Sequence, residues 1–280
     1  MKETLETLYN ISVLTFVIAS MLGMGLSLTV RQIVEPLKDV KLVVMALVAN
    51  FIIVPLFVYG MITVIPVSEG VKIGLILLSI AAGAPFLPKL AEIAKSDIAF
   101  GIGLMLLLMT TTIFYLPIVL PILLGGVEVD SWAIAKSLII MMLIPLLVGL
   151  FTKAKFEKLA NSLQPFFTKL SNIALVILTV VLLVLHTKSL FALVGPGLLA
   201  IFLLLVVAIL VGYLLGGKNK DSKIVLSLGT GQRNISAAIL VAAQNFTDPE
   251  VTLTMIALAI LGLVIMLPYA GKMAKRNDNT

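Results

Sequence analysis

The feature that most constrains this chain is a succession of long apolar runs separated by short polar connections. A helix that crosses a hydrocarbon core about 30 Å thick needs roughly 20 consecutive apolar residues. Nine runs meet this requirement, at about residues 9–30, 39–65, 71–94, 97–124, 132–152, 165–186, 189–216, 222–245 and 249–271. The chain is 60% hydrophobic and 12% charged, with a mean hydropathy of +1.18. This pattern predicts an all-α polytopic membrane protein with a single membrane domain.

The residue inventory excludes several classes of function. The chain has no cysteine, and His186, expected at the outer membrane edge, is its single histidine. Thiol chemistry, iron–sulfur clusters and an all-histidine metal centre are therefore excluded within one chain. The short connections leave no room for a soluble catalytic domain, and basic residues in such connections are typical of membrane orientation rather than nucleic-acid binding. We therefore expect no enzyme activity, no cofactor and no nucleic-acid partner.

The basic residues of the connections also predict an orientation. With nine spans, fourteen lysines and arginines fall on one side of the membrane and four on the other. Because cytoplasmic loops carry the excess of positive charge, the N-terminus is expected outside and the C-terminus in the cytoplasm. We expect a multi-pass protein of the plasma or inner membrane. The oligomeric state is left open.

Two of the runs are interrupted, and their order predicts an internal repeat. The third run contains Gly83-Ala84-Pro85-Phe86-Leu87-Pro88, and the eighth contains Gly229-Thr230-Gly231-Gln232-Arg233-Asn234. We therefore interpret residues 9–124 and 165–271 as two four-helix repeats, inverted relative to each other and joined by a linker helix over 132–152. Inverted repeats with matching broken helices indicate the binding site of a secondary transporter. The alternative is that glycine and proline are simply common in membrane helices.

Lys89 and Arg233 are the two basic residues left at membrane depth, where a cation needs a partner or a water-filled cavity. Lys89 has Glu92 one turn later as a partner, or it extends to the cytoplasmic surface. Arg233 has no acidic residue between Asp221 and Asp248. Its partners are expected to be helix-end carbonyls, the Glu92 carboxylate or a bound anion.

Uncharged polar residues near the breaks complete the candidate site. Thr230, Gln232 and Asn234 supply donors and acceptors beside Arg233, and a helix that restarts after a break suits an anion. Three threonines, Thr110, Thr111 and Thr112, either line the same cavity or bond to carbonyls one turn back. Asn50 is interpreted as an interhelical hydrogen bond.

At these residues the chain resembles the bile acid:sodium symporter family. The resemblance rests on Leu22 to Leu28 (M-G-x-x-L), Gly83 to Pro88, Ala94 to Ala99 (A-[KR]-G-[ND]-x-A), Pro117 with Pro121, and Gly229 to Asn234 (E-x-G-x-Q-N). Members of this family have nine or ten helices, and the count here corresponds to the nine-helix form. The resemblance implies a panel domain beside a core domain, and two broken helices that cross in the core. It also implies substrate binding between the domains and alternating access.

The chain departs from the resemblance at the positions where sodium-coupled relatives bind their ions. The Ser-Asn pair of the first break aligns with Leu87 and Pro88, and hydroxyl ligands of the next helix align with Gly101 and Met105. The glutamate and glutamine of the second break align with Gly229 and Arg233. The hypothesis is a sodium-independent transporter of a small organic anion, in which Arg233, with or without Lys89, takes the electrostatic role of the ions.

Three alternatives are kept beside this hypothesis. The first is a sodium-coupled symporter of the same family, with Na⁺ as the bound ion. The second is a channel, although polar residues are confined to the two breaks rather than spread along a pore. The third is a transporter-like scaffold that senses a ligand without moving it. The substrate class covers steroid-like acids, keto acids and vitamin precursors. Uniport, exchange and proton coupling through Glu92 or Asp97 are also open.

Overall fold

The computed structural model describes residues 2–29, 38–125, 130–185 and 194–278, and all regular structure in these ranges is helical. We number the α-helices in chain order. They are α1 Lys2–Ser27, α2 Val40–Val48, α3 Val54–Val64, α4 Glu69–Ile80, α5 Leu87–Ile93, α6 Ile98–Leu123, α7 Ser131–Leu138, α8 Ile144–Lys155, α9 Glu157–Leu185, α10 Pro196–Leu215, α11 Lys220–Gly231, α12 Ile235–Asn245 and α13 Pro249–Asp278. Five-residue π-helical segments join α2 to α3 (Ala49–Ile53) and α7 to α8 (Ile139–Leu143).

Eight helices of the described residues are long and apolar enough to cross a membrane. They coincide with eight of the nine apolar runs, and α2 with α3, α7 with α8, and α11 with α12 each form one of them. The remaining run, 71–94, is divided between α4 and α5, and neither is long enough to span alone. The polytopic all-α fold is confirmed, whereas the count of nine spans stays a prediction.

Two helices begin well before their apolar runs. α1 starts at Lys2 rather than near residue 9, and α9 starts at Glu157 rather than near residue 165, so Pro165 lies inside it. Charged and amide side chains such as glutamate, lysine and glutamine are good helix formers, and hydropathy does not register them. The apolar run therefore marks the lipid-facing length and not the helix end. His186 and Lys188, expected at the outer edge, lie outside the described residues.

The helices pack in two groups. Helices α1, α8 and α9 contact one another and form a three-helix group. Small residues allow this packing: a Cβ added at Gly25 would lie 2.3 Å from the Leu146 carbonyl oxygen, and one added at Gly149 would lie 2.7 Å from the Leu22 carbonyl oxygen. The backbones of α1 and α8 therefore approach too closely for any larger side chain.

The second group surrounds the two interrupted helices. Helix α10 lies along α11, α13 packs on α4, and α6 contacts α4, α5 and α11. In an 18-residue window within the span Lys220–Asn245 the buried share is 89%, whereas in the corresponding window of the span Glu157–Val181, in the three-helix group, it is 22%. The most polar spanning segment is thus enclosed by protein. Enclosure by protein is needed here because the unpaired backbone N–H and C=O groups of an interrupted helix cannot be exposed to lipid.

Candidate functional site

The first break separates α4 from α5 at residues 81–86. Gly83 has φ of +81°, and a Cβ at this position would lie 2.1 Å from the Met109 nitrogen of α6. Only glycine combines that backbone conformation with so close an approach. The chain turns back into α5 through a hydrogen bond from the Leu87 nitrogen to the Ala84 carbonyl oxygen (3.1 Å).

The second break separates α11 from α12 and contains only Gln232, Arg233 and Asn234. Gln232 is extended (φ −83°, ψ 116°) and half-buried, and its N–H donates to the Leu228 carbonyl oxygen at 2.9 Å. The Asn234 N–H donates to the Ala81 carbonyl oxygen at 2.9 Å. The two breaks are therefore bonded to each other, and we call this place the crossing.

Arg233 is the largest side chain buried at the crossing, with 1% of its surface exposed. Its Nε donates to the Leu78 carbonyl oxygen at 2.8 Å, and its Nη2 donates to the carbonyl oxygen of Ser79. Its Nη1 donates to the Thr230 carbonyl oxygen and to Asn50 Oδ1, both at 3.0 Å. Of the three kinds of partner expected for Arg233, the structure shows helix-end carbonyls, together with one side-chain amide.

The position of these carbonyls explains how a cation is accommodated. Leu78 and Ser79 lie in the last turn of α4, and Thr230 lies in the last turn of α11. A helix C-terminus leaves carbonyls without intrahelical partners and carries about half a negative charge. The Arg233 guanidinium therefore lies between two helix C-termini and satisfies orphan acceptors of both.

Asn50 is the residue of the crossing that the sequence did not assign to the site. It is fully buried in the π-helical segment between α2 and α3, and its Nδ2 donates to Thr230 Oγ1 at 3.2 Å and to the Ala46 carbonyl oxygen at 3.0 Å. The predicted interhelical hydrogen bond is confirmed. Its partners, however, are Arg233 and Thr230, and a lone asparagine in an apolar run gives no sign of this. π-helical segments are frequent at functional sites.

Asn234 has a buried donor group without a partner. Its Oδ1 accepts from the Ala237 N–H at 3.1 Å and so caps α12. Its Nδ2 is the one buried side-chain nitrogen or oxygen of the described residues that has no hydrogen-bond partner. The cap fixes which atom of the amide is which, because a flipped amide would place Nδ2 against another donor. Two N–H donors are thus held at the N-terminus of α12.

The three threonines of α6 have different environments. Thr112 is fully buried. Its hydroxyl accepts a hydrogen bond from the Ala82 N–H at 2.9 Å and donates one to the Ala82 carbonyl oxygen at 3.0 Å. Thr112 therefore fastens the first break to α6. Thr111 donates to the Leu107 carbonyl oxygen one turn back at 2.8 Å, as the local interpretation expects, and Thr110 is exposed.

The structure does not bring the charged residues of α5 to the crossing. Lys89 Nζ lies 2.8 Å from Glu92 Oε2, and each of these side chains is 55% exposed. Pro85 and Pro88 are half-buried, and Pro88 lies in the first turn of α5. The predicted Lys89–Glu92 pair is confirmed. The Glu92 carboxylate is not a partner of Arg233, because all four partners of the guanidinium are uncharged oxygens.

Comparison with known proteins identifies the family of this chain. Residues 14–193 match the model of the sodium bile acid symporter family. The chain is 22% identical over 278 residues to the probable sodium/metabolite cotransporter BASS6 of Arabidopsis thaliana, which covers 93% of this chain. It is 24% identical over 266 residues to the probable sodium/metabolite cotransporter BASS5 of the same plant and 23% identical over 271 residues to BASS2 of Oryza sativa subsp. japonica.

All three relatives are named as chloroplastic proteins. The match to BASS5 covers 88% of this chain, and the match to BASS2 covers 92%. The chain spans 67%, 65% and 64% of the lengths of the three relatives. The family model covers the first break, and the alignments to the relatives extend over most of the chain. These relatives are transporters and not enzymes. The chain therefore belongs to the sodium bile acid symporter family.

Proposed function

We propose that this chain carries a small organic anion across a membrane by alternating access, without sodium, and that Arg233 acts in place of a bound ion. The single observation that carries the proposal is the position of the guanidinium, buried between the C-termini of α4 and α11 and bonded to four oxygens. Carbonyl and amide oxygens at helix C-termini are the ligands that a cation would use. In this chain a fixed side chain already uses them.

The positions that align with sodium ligands support the same proposal. Leu87 and Met105 are fully buried apolar side chains. A Cβ at Gly229 would lie 2.9 Å from the Cδ2 atoms of both Leu87 and Leu104, so the space beside it is occupied by apolar groups. A Cβ at Gly101 would meet the Ala91 methyl group at 3.3 Å. Sodium, a hard cation, needs oxygen ligands, and the side chains at these positions supply none.

The opposite ends of the broken helices favour an anion as substrate. Helix α12 begins at the crossing with Asn234 as its N-cap, and a helix N-terminus carries about half a positive charge. Because Arg233 binds the terminal carbonyls of α4 and α11, their partial negative charges do not cancel this positive charge. The free Nδ2 of Asn234 gives a carboxylate oxygen a direct hydrogen-bond donor. We therefore assign Asn234 to direct contact and Arg233 to the electrostatic field of the site.

Movement of the three-helix group against the group that holds the crossing is the motion that alternating access requires. The three-helix group contacts the other group through α1 with α12 and through α9 with α13. Helix α7, which leads into α8, also contacts α6 and α12. Tyr9 of α1 also shares a hydrogen bond of 3.2 Å with Thr252 of α13. We place the N-terminus outside and the C-terminus in the cytoplasm of a plasma or inner membrane, as the lysine and arginine distribution favours.

A sodium-coupled symporter is the second candidate, because the relatives named above are described as sodium/metabolite cotransporters. The two candidates differ in a ligand-stabilisation experiment on the purified protein. Thermal unfolding is measured with potassium salts of keto acids and bile acids, with and without added sodium. A ligand at 100 times its Kd stabilises by about 2.7 kcal/mol. We expect the same stabilisation in both buffers and none from sodium chloride alone. Stabilisation that needs sodium would favour the second candidate.

A further inference from the structure

The four acceptors of Arg233 share one property, which is that none carries a formal charge. Three are backbone carbonyl oxygens, and the fourth is the amide oxygen of Asn50. Within the described part of the chain, no carboxylate lies in salt-bridge distance of the guanidinium. The side chains of the crossing therefore keep a net charge of +1. Asn50 is the one place among these acceptors where a side-chain substitution changes that charge.

The orientation of the Asn50 amide is fixed by its surroundings. Its Oδ1 faces Nη1 of Arg233, and its Nδ2 is shared between Thr230 Oγ1 and the Ala46 carbonyl oxygen. A reversed amide would place an N–H donor against the guanidinium, which only donates. Asn50 thus holds the guanidinium at the end of α11 and leaves its charge uncancelled. An aspartate would have nearly the same shape and could accept the same bond, but it would cancel the charge.

We propose that Asn50 determines the charge selectivity of the transporter: its neutral amide positions Arg233 without neutralising it, and this makes the crossing attract anions. This inference rests on the proposed function, because it concerns the same site. It adds a residue on a third helix and a reason for its chemistry. Asparagine at this position corresponds to an anionic substrate, and a carboxylate here would correspond to a neutral one.

The size of the effect follows from Coulomb attraction. A charge at about 8 Å from a bound carboxylate, at an effective dielectric constant of about 20, changes affinity on the order of tenfold to thirtyfold. Asn50→Asp is therefore expected to raise the half-saturating concentration of a carboxylate by at least about tenfold. The same substitution is expected to leave an uncharged analogue of that ligand unaffected.

The experiment measures thermal unfolding of the purified full chain in sodium-free buffer. The probes are the potassium salts of pyruvate, 2-oxoisovalerate and cholate, each compared with its uncharged amide. Asn245→Asp is the matched control, because it makes the same change at the end of α12, where Asn245 Nδ2 bonds only to the Val241 carbonyl oxygen. Asn50→Leu removes the amide and keeps the side chain neutral.

We expect Asn50→Asp to lose the preference for the acid over its amide, and Asn245→Asp to keep it within about threefold. Asn50→Leu removes one of the four acceptors of Arg233 without cancelling its charge, so its loss of preference should be smaller than that of Asn50→Asp. Retention of the preference by Asn50→Asp would overturn the inference, as would an equal loss in Asn50→Leu. A wild-type protein that responds to no carboxylate rejects the proposed function as well, so the two failures are distinguishable. If Asn50→Asp is not recovered folded, Thr230→Asp places a carboxylate on the other side of the amide. The same loss is then expected, and its absence contradicts the inference.

Discussion

Replacement of Arg233 by alanine is the perturbation whose cost the structure defines best. The substitution removes the guanidinium and releases its four acceptors, the carbonyls of Leu78, Ser79 and Thr230 and the amide oxygen of Asn50. All four acceptors are buried at the crossing, at membrane depth, where lipid supplies no replacement hydrogen-bond donor. Each buried polar group left without a partner costs about 1–3 kcal/mol.

The four released acceptors together cost about 4–12 kcal/mol, and the lower value applies where water enters the space left by the side chain. A change of 1 kcal/mol shifts Tm by about 2–4 °C in a domain of roughly this size. Arg233→Ala is therefore expected to lower Tm by at least about 8 °C. The matched control is Lys89→Ala, because Lys89 is a cation of the same region whose ion pair with Glu92 is half-exposed. Exposed ion pairs contribute about 0–1 kcal/mol, so this control should change Tm by no more than about 4 °C.

Both variants are purified in the same detergent and heated to a series of temperatures. The fraction that remains folded at each temperature is then measured by size-exclusion chromatography. A Tm for Arg233→Ala within 2 °C of the wild-type value would refute the reasoning, because so small a shift corresponds to a loss of unfolding free energy of about 1 kcal/mol or less. Because the alanine variant loses stability and charge together, its ligand binding alone does not separate the two roles of Arg233. The variants of Asn50 and Asn234 make that separation.

Three further predictions concern single positions at the crossing. Asn234→Asp keeps the cap on α12 and removes both free N–H donors, so unfolding should occur within about 2 °C of wild type while stabilisation by carboxylates is lost; unchanged stabilisation would argue against direct contact. Thr112→Val breaks the bonds to Ala82 and is expected to destabilise by about 1–3 kcal/mol, whereas Thr111→Val should change stability by less than about 1 kcal/mol, so equal effects in denaturation would contradict the assignment. Gly229→Glu restores the glutamate of sodium-coupled relatives, yet sodium should still not raise Tm because the other aligned positions offer no side-chain oxygen and one of them is the Arg233 cation; a sodium-dependent rise would count against the proposal.

Hydropathy and helix-breaking residues were sufficient to predict most of the fold. Each apolar run of about 20 residues is a helix or a pair of helices, because backbone groups in lipid must be satisfied within the segment. The breaks at Gly83 and at Gln232 to Asn234 were visible as glycine, proline and polar residues inside such runs. The π-helical segments before Pro55 and Pro145 were not predicted, because π and α segments have the same composition and differ only in hydrogen-bond register.

The candidate site was predicted only in part, and the reason is that its contacts are long-range. Arg233 was identifiable because a cation at membrane depth is expensive, wherever its partners lie. Asn50 is 183 residues away along the chain, and Thr112 is 30 residues from Ala82. Sequence periodicity does not distinguish Thr112 from Thr111, since only the packing of α6 against the first break does so. Lys89 was ambiguous for the same reason, and its exposure places it away from the crossing.

The proposed replacement of an ion by Arg233 has a consequence for energy coupling. A bound ion enters and leaves with the substrate, so its gradient drives transport. Under the proposal, a guanidinium held by four hydrogen bonds stays in the protein throughout the cycle. The substrate then moves down its own gradient, by exchange, or with a proton carried through Glu92 or Asp97. The difference between the two cases is thermodynamic. A solute shifts the equilibrium between the outward-open and inward-open conformations only if it binds them with different affinity, and a permanently attached side chain does not bind and leave.

The most direct measurement is uptake of a radiolabelled organic anion, identified by thermal stabilisation, into proteoliposomes with sodium on both sides or with potassium replacing it completely. The initial rate is expected to be the same in both media, and an imposed inward sodium gradient is expected to cause no accumulation above equilibrium. A rate that falls to the level of empty liposomes without sodium, and recovers when sodium is restored, would contradict the role assigned to Arg233.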